Sequence, residues 1–297
     1  NVKLEVFDDQ SDINHYMELA KTKVSNRSIA CLGGVFTLGN IKWFIQTALA
    51  MKIAVIGPFS GSILLRNSKW ANIFNVRPSY ESELACIAEH LIQKHGKILF
   101  VFPDNEFGKR AVTAFDKLIR SEHLRYGLEN RSQKFLIESI NQSSAMHIVF
   151  IGGTRSFADI INEVSLRSVS FYSISLVGLG SLMRYVKDCQ NHVFVTAPIE
   201  DYQAKLPAAT QYRKYIKPFL TESTARYRNS ISFESYLNTQ VFLKGLEKCP
   251  THQKLDLIKA LEGVSGADIG LSSPATWDSD KRQFLHHVNL LGNEVFC

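Results

Sequence analysis

The chain has 297 residues, of which 45% are hydrophobic and 21% charged, with 17 Gly, 8 Pro and 5 Cys. That composition gives enough apolar side chain for one large domain or two average ones. It excludes collagen-like, coiled-coil and disordered chains, and no apolar run reaches the roughly 18 residues that span a bilayer. The net charge of +6 is spread thinly, with no polybasic run, so the sequence points away from nucleic acid and towards an ordinary solvated surface.

The elements read as strand, helix, strand, helix. Val2 to Phe7 reads as a strand ending in Asp8-Asp9, and a helix follows after a Ser11-Asp12 start, with Ile13, Tyr16, Met17, Ala20 and Val24 at helical spacing. Ser28 to Leu32 is a strand closed by Gly33-Gly34, Ile41 to Met51 a helix, and Ile53 to Ile56 a strand closed by Gly57-Pro58. The alternation restarts after Arg77-Pro78. Ser79 opens a long helix, Ile98 to Phe102 is a strand, Glu106 to Ser121 a helix and Ile148 to Ile151 a strand stopped by Gly152-Gly153. A helix through Phe157, Ile160, Ile161 and Val164 comes next, then strands at Ile174 to Val177 and Val193 to Thr196. From Tyr202 the chain turns helical, at Ala208 to Arg226, Phe233 to Lys248 and Leu255 to Leu261, and the tail from Ala275 to Phe296 looks β-rich. Continuous apolar strands alternating with amphipathic helices indicate parallel sheets covered on both faces. Two separate βα series indicate two doubly wound lobes.

The five cysteines, Cys31, Cys86, Cys189, Cys249 and Cys297, are odd in number and never in CxxC spacing, which argues against metal and against a dense disulfide framework. Cys31 and Cys86 read as buried thiols, and one disulfide among the later three is compatible with the spacing. No metal site or cofactor is expected. His286-His287 falls in an expected strand, where neighbours point to opposite faces.

In doubly wound sheets, ligands bind beyond the carboxyl ends of the strands. The loops there are rich in Gly, Ser and Thr: Gly33 to Thr37, Gly57 to Ser62, Pro103 to Gly108, Gly152 to Arg155 and Gly178 to Ser181. Small residues let a ligand reach backbone N–H groups, which suits an anion such as a carboxylate, although any single Ser or Thr there could simply be a turn or cap residue. Enzyme motifs are missing. Gly57 to Ser62 has no P-loop Lys, Gly178-Leu179-Gly180 has no third Gly of a dinucleotide fingerprint, and neither HExxH nor GxSxG occurs.

With these loops in this order, the chain resembles the type 1 periplasmic binding proteins, most closely the branched-chain (Leu/Ile/Val) amino acid binding branch. The stretches "VFDDQSD" followed by "SIACLGG", then "KIAVIGPFSGSILL", "KILFVFPDNEFGKRAVTAF" and "SPATWDSDKRQ" carry the resemblance, and it covers nearly the whole chain. In the third stretch Asp104, Phe107 and Gly108 fill the family's Asp-x-x-Tyr-Gly pattern. The resemblance implies an α/β fold of two doubly wound parallel-sheet lobes joined by a three-strand hinge: residues 1–78 plus 202–272 in lobe 1 and 79–201 plus 273–297 in lobe 2. Crossovers are expected near Arg77-Pro78-Ser79, Ala197 to Asp201 and Leu271 to Pro274. It implies a carboxylate clamp on Thr37, Ser60 and Ser62, flanked by Phe36 and Phe59, with Phe107 packing on the ligand body and Thr154 facing it from lobe 2; Arg155 could pair with an anionic ligand group.

The implied protein is an exported, non-catalytic solute-binding protein of the periplasm or extracellular space, closing both lobes on a small amino acid-like or other carboxylate ligand for the membrane permease of an ABC-type transporter. The same fold also serves as the ligand-sensing extracellular domain of a receptor or sensor kinase, with its own transmembrane signalling module. A doubly wound enzyme is the further alternative and would need Glu200, Asp201 or Asp104 as its base. Two departures from the family stand out. Its opening strand and helix have no counterpart here, and are expected to lie outside the given sequence or to be supplied otherwise. The loop Gly178 to Ser181 lacks the acidic residue that would pair with a ligand ammonium, which weighs against an ordinary α-amino acid because a buried unpaired ammonium is costly by several kcal/mol.

Overall fold

The computed structural model describes residues 2–8, 10, 12–23, 28–33, 38–127, 133–166, 168–187, 191–225, 228–251, 253–271 and 275–293. The chain forms two compact units, Asn1–Arg77 with Asp201–His286, and Pro78–Glu200 with His287–Cys297. It therefore passes from one to the other at Arg77/Pro78, Glu200/Asp201 and His286/His287. Residues 272–274 of the expected third crossover lie outside the described residues.

The first unit opens with α1 (Ile13–Lys23), β1 (Ala30–Leu32), α2 (Leu38–Met51), β2 (Ala54–Ile56) and β3 (Ile73–Phe74). Asp12 caps α1, its Oδ1 accepting the His15 N–H at 2.8 Å. The three strands form a parallel sheet in the order β1-β2-β3. Ile41, Phe44, Ile45 and Ala48 on one face of α2 pack with Val55, Leu65 and Ile73. Val2 to Phe7 is no strand: Val2, Leu4, Val6 and Phe7 are exposed, and β1 pairs only with β2 among the described residues. A β pattern needs a ladder partner before it becomes a strand, and this segment has none there.

The second unit carries α3 (Tyr80–Ile92), β4 (Lys97–Pro103), α4 (Glu106–Asp116), β5 (Glu122–Tyr126), α5 (Gln133–Gln142), β6 (Ala145–Phe150), α6 (Thr154–Glu163), β7 (Ser170–Ser173), α7 (Leu179–Leu182) and β8 (His192–Ala197). Ser79 and Asn105 cap α3 and α4, accepting from Ser82 N and Gly108 N. The sheet order is β5-β4-β6-β7-β8-β9, parallel except for the last strand, β9 (Asn289–Gly292), which pairs antiparallel with β8. Alternate residues of β4 supply the two cores. Leu99 and Val101 join Phe150, Phe157 and Phe171 on one face, while Ile98, Phe100 and Phe102 join Leu84, Ile87 and Phe115 on the other.

Back in the first unit, the chain forms α8 (Pro207–Ile216), α9 (Ser230–Lys248) and α10 (Lys254–Glu262), and β9 (Asn289–Gly292) then completes the second. The expected helix to Arg226 stops at Ile216 and a 3-10 turn, Lys217–Phe219, follows, because Pro218 has no N–H for the next helical bond. The expected strand Ile174 to Val177 is a turn; the strand lies earlier, at Ser170–Ser173, where Phe171 and Tyr172 face opposite cores. β5 is a polar edge strand with no apolar run to reveal it, whereas α5, not singled out above, buries Leu136, Ile137 and Ile140 at helical spacing. Among the described residues the expected β-rich tail reduces to β9 and isolated bridges.

Candidate functional site

In the first unit the loop Gly57–Ser62 follows β2. Gly57 sits at φ +61°, and a Cβ there would lie 1.9 Å from Cγ of Asn238 on α9, whose Nδ2 donates to Gly57 O at 3.1 Å. Only glycine permits that approach. Ser60 is buried, with its Oγ accepting the Ser62 N–H at 3.2 Å; Ser62 Oγ accepts from Leu64 N at 3.3 Å and caps the 3-10 helix Ile63–Leu65. A hydroxyl that accepts a bond still has its own O–H to donate. Both serines are therefore turn and cap residues that also keep a donor each. Phe36 and Thr37 lie outside the described residues.

The same loop is held by charges that the periodicity of the sequence does not reveal. The guanidinium of Arg77 stacks on the Phe59 ring, 4.5 Å from its centroid, and grips Glu234 of α9 through Nη2 to Oε2 at 3.1 Å and Nε to Oε1 at 3.0 Å. Both side chains are buried. Arg66 donates to Ser62 O at 2.8 Å and to Arg77 O at 2.9 Å. Arg77 reads in the sequence only as the residue before a proline, and Glu234 as one carboxylate of a long helix; nothing local links residues 157 apart.

In the second unit Phe107 is half-buried at the start of α4 and meets Tyr80 edge-on, with centroids 5.4 Å apart. Thr154, at the start of α6, donates its hydroxyl to Val177 O at 2.8 Å, which ties the loop after β6 to the loop after β7. Its oxygen is thus left with acceptor capacity only, unlike those of Ser60 and Ser62. Arg155 is exposed and lies over the Tyr185 ring, 5.0 Å from its centroid. Gly152 has no room for a side chain, since a Cβ would fall 2.4 Å from Tyr126 Oη; that phenol donates to Ile151 O, and burial pushes it up to about 12.

Beneath the loop after β7 lies a carboxylate that no local sequence signal singles out. Glu83 of α3 is fully buried and accepts from Ser175 N at 2.7 Å, Ser175 Oγ at 2.9 Å and Thr196 Oγ1 at 2.5 Å. Its oxygens are occupied by the protein, so it does not replace the acidic residue missing from Gly178 to Ser181. The carboxylates named for an enzyme are likewise engaged. Asp104 is exposed between Lys109 at 3.4 Å and Arg125 at 3.9 Å, and Asp201 accepts from Gln203 N in a turn.

Burial pushes the Cys31 thiol up to about 11 and raises Cys86 as well. Cys249 is a buried free thiol, which removes it from the disulfide options; Cys189 and Cys297 lie outside the described residues. His286 and His287 have separate partners, Thr276 O and Asn289 Oδ1. Among the described residues no group of three or more His, Cys, Asp or Glu side chains is placed to hold a metal, and no helix is long and apolar enough to cross a membrane.

A possible leucine/isoleucine/valine-binding protein from Rhodopirellula baltica matches the structure with a TM-score of 0.79 at 21% identity, covering 97% of this chain and 81% of that one. A branched-chain amino acid ABC transporter protein from Thermus thermophilus with bound valine matches with a TM-score of 0.75 at 14% identity, covering 96% and 80%. A solute-binding protein from R. palustris in complex with 4-hydroxybenzoate matches with a TM-score of 0.75 at 16% identity, covering 95% and 78%. Comparison with functionally curated proteins gives no sequence match. The family model described as periplasmic binding protein matches residues 1–291, so the chain belongs to the periplasmic binding protein family, with the type 1 fold.

Proposed function

We propose that the protein is an exported solute-binding component, not an enzyme, which takes a small carboxylate or similar polar-headed ligand and delivers it to the membrane permease of an ABC-type transporter. Relatives of the same fold are transporter binding components with ligands as different as valine and 4-hydroxybenzoate. The observation that carries the ligand class is the loop Phe59–Ser62. Two serine hydroxyls there already accept backbone N–H groups, so each keeps an O–H to donate to an anion. Thr37 is proposed to add a third donor. On the second unit Phe107 supplies an apolar face, Thr154 an acceptor and Arg155 a cation. The absence of an acidic residue from Gly178 to Ser181 favours a carboxylate without an α-ammonium over an ordinary amino acid.

A thermal-shift screen of amino acids, organic acids and aromatic acids tests this reading, because specific binding raises the melting temperature by mass action. For the ligand found, Thr37→Ala with Ser60→Ala weakens binding by about 1–3 kcal/mol in calorimetry. Unchanged affinity rejects the clamp. A selective hit among zwitterionic amino acids rejects the ligand class.

A further inference from the structure

The positive excess is thin along any few residues, yet it collects in one part of the first unit. Between residues 205 and 228 stand Lys205, Arg213, Lys214, Lys217, Arg226 and Arg228 against Glu222 alone, which is five of the six net charges of the chain. Of this stretch the structure describes residues 205–225 and 228, among them α8 and the 3-10 turn after it; Arg226 lies outside the described residues. The buried face of α8 is set by Tyr212, whose ring packs on Phe233 and Tyr236 of α9. The opposite face points outward, where Lys214, Tyr215, Lys217, Pro218 and Phe219 are all exposed. Phe219 is 74% exposed and Tyr215 63%. Tyr215 leans on Tyr236 at 6.2 Å, and Ile231 in the first turn of α9 is exposed as well.

A single exposed aromatic is ordinary, but large apolar side chains gathered on one face mark an interaction surface. Lysine alternating with aromatic rings narrows the occupant. Lysine is depleted in the centres of protein–protein interfaces. At a lipid surface the same mixture is favourable, because ammonium groups meet phosphates while Tyr and Phe sit at headgroup depth. We propose that the Lys214–Phe219 segment is a docking surface for the anionic headgroups of a lipid bilayer. It is independent of the ligand site.

Co-sedimentation of the full chain with phosphatidylglycerol–phosphatidylcholine vesicles, against vesicles of phosphatidylcholine alone, tests it. The protein sediments with the anionic vesicles only and is released near ~1 M salt, where the Debye length is about 3 Å. Lys214→Glu with Lys217→Glu lowers the partition coefficient by at least ~25-fold, from the known contribution of a basic residue near an anionic surface. Phe219→Ala lowers it at constant charge. Lys214→Gln with Lys217→Gln gives a smaller loss in the same direction and guards against misfolding, which circular dichroism monitors. Equal sedimentation with both vesicle types, or anionic binding that survives charge reversal, overturns the proposal. Retention on immobilised polyglutamate without vesicle binding overturns it in favour of an acidic protein partner.

Discussion

The buried Arg77–Glu234 pair provides the sharpest test of how the first unit holds the loop Gly57–Ser62. Both side chains are nearly solvent-free, at 5% and 3% exposure, and they meet through two contacts of 3.0 and 3.1 Å. Glu234→Ala leaves the guanidinium buried without its carboxylate, and breaking such a pair from one side costs about 3–5 kcal/mol. Arg77→Ala removes the stack on Phe59 too and costs at least as much. Replacing both, Arg77→Met with Glu234→Leu, fills similar space without stranded charge and recovers most of the loss, so the double-mutant cycle shows strong coupling. Urea unfolding followed by tryptophan fluorescence suits the question, because Trp43, Trp70 and Trp277 all belong to the first unit. The midpoint falls at constant slope if native stability is what changes. A loss below about 1 kcal/mol for Glu234→Ala, the size expected of an exposed pair, refutes the reasoning.

Three further outcomes follow from the geometry. Glu83→Ala leaves Ser175 and Thr196 without their acceptor and destabilises the second unit by about 1.5–3 kcal/mol, seen by circular dichroism while the tryptophan transition stays in place. Gly57→Ala forces a Cβ against Asn238 at a positive φ and costs about 1–3 kcal/mol; Asn238→Ala in the same chain relieves part of it, and additive losses count against the clash. Asp268 is held down to about 2 from its usual 3.8 by hydrogen bonds from Lys248 and from the Ser265 backbone. The folded state thus favours its ionised form: its stabilisation is complete above about pH 4 and is lost as pH falls through about 2. Asp268→Asn removes that step from the acid-unfolding curve, and an unchanged curve contradicts the assignment.

Much of the fold was legible because its signals are local. Gly-stopped apolar strands, the caps at Ser79 and Asn105 and the helical spacing of Leu84, Ile87, Ala88 and Leu91 each depend on neighbours a few residues away. Elements whose stability comes from elsewhere are not legible in this way: β5 is a polar edge strand held by β4, and β7 ends before the apolar run Ile174 to Val177 begins. Val2 to Phe7 shows the converse, a strand pattern that stays unpaired among the described residues. For the candidate site, the loops that carry Phe59, Ser60, Ser62, Phe107, Thr154 and Arg155 are legible in the sequence, but the hydrogen bonding of these residues is not. Ser60 and Thr154 look alike in sequence, yet one hydroxyl accepts a backbone bond and the other donates to Val177 O.

The sequence by itself determined the alternation of strands and helices, their parallel arrangement and the small-residue loops, because hydrophobic periodicity and turn chemistry act over short spans of chain. Tertiary structure alone decided which charges go inside. Arg77 found Glu234 across 157 positions and Glu83 found Thr196 across 113, since a buried charge is tolerated only where folding brings its partners to it. It also decided that Lys214 and Lys217 stand exposed with Tyr215 and Phe219 in the first unit, which their spacing alone does not tell.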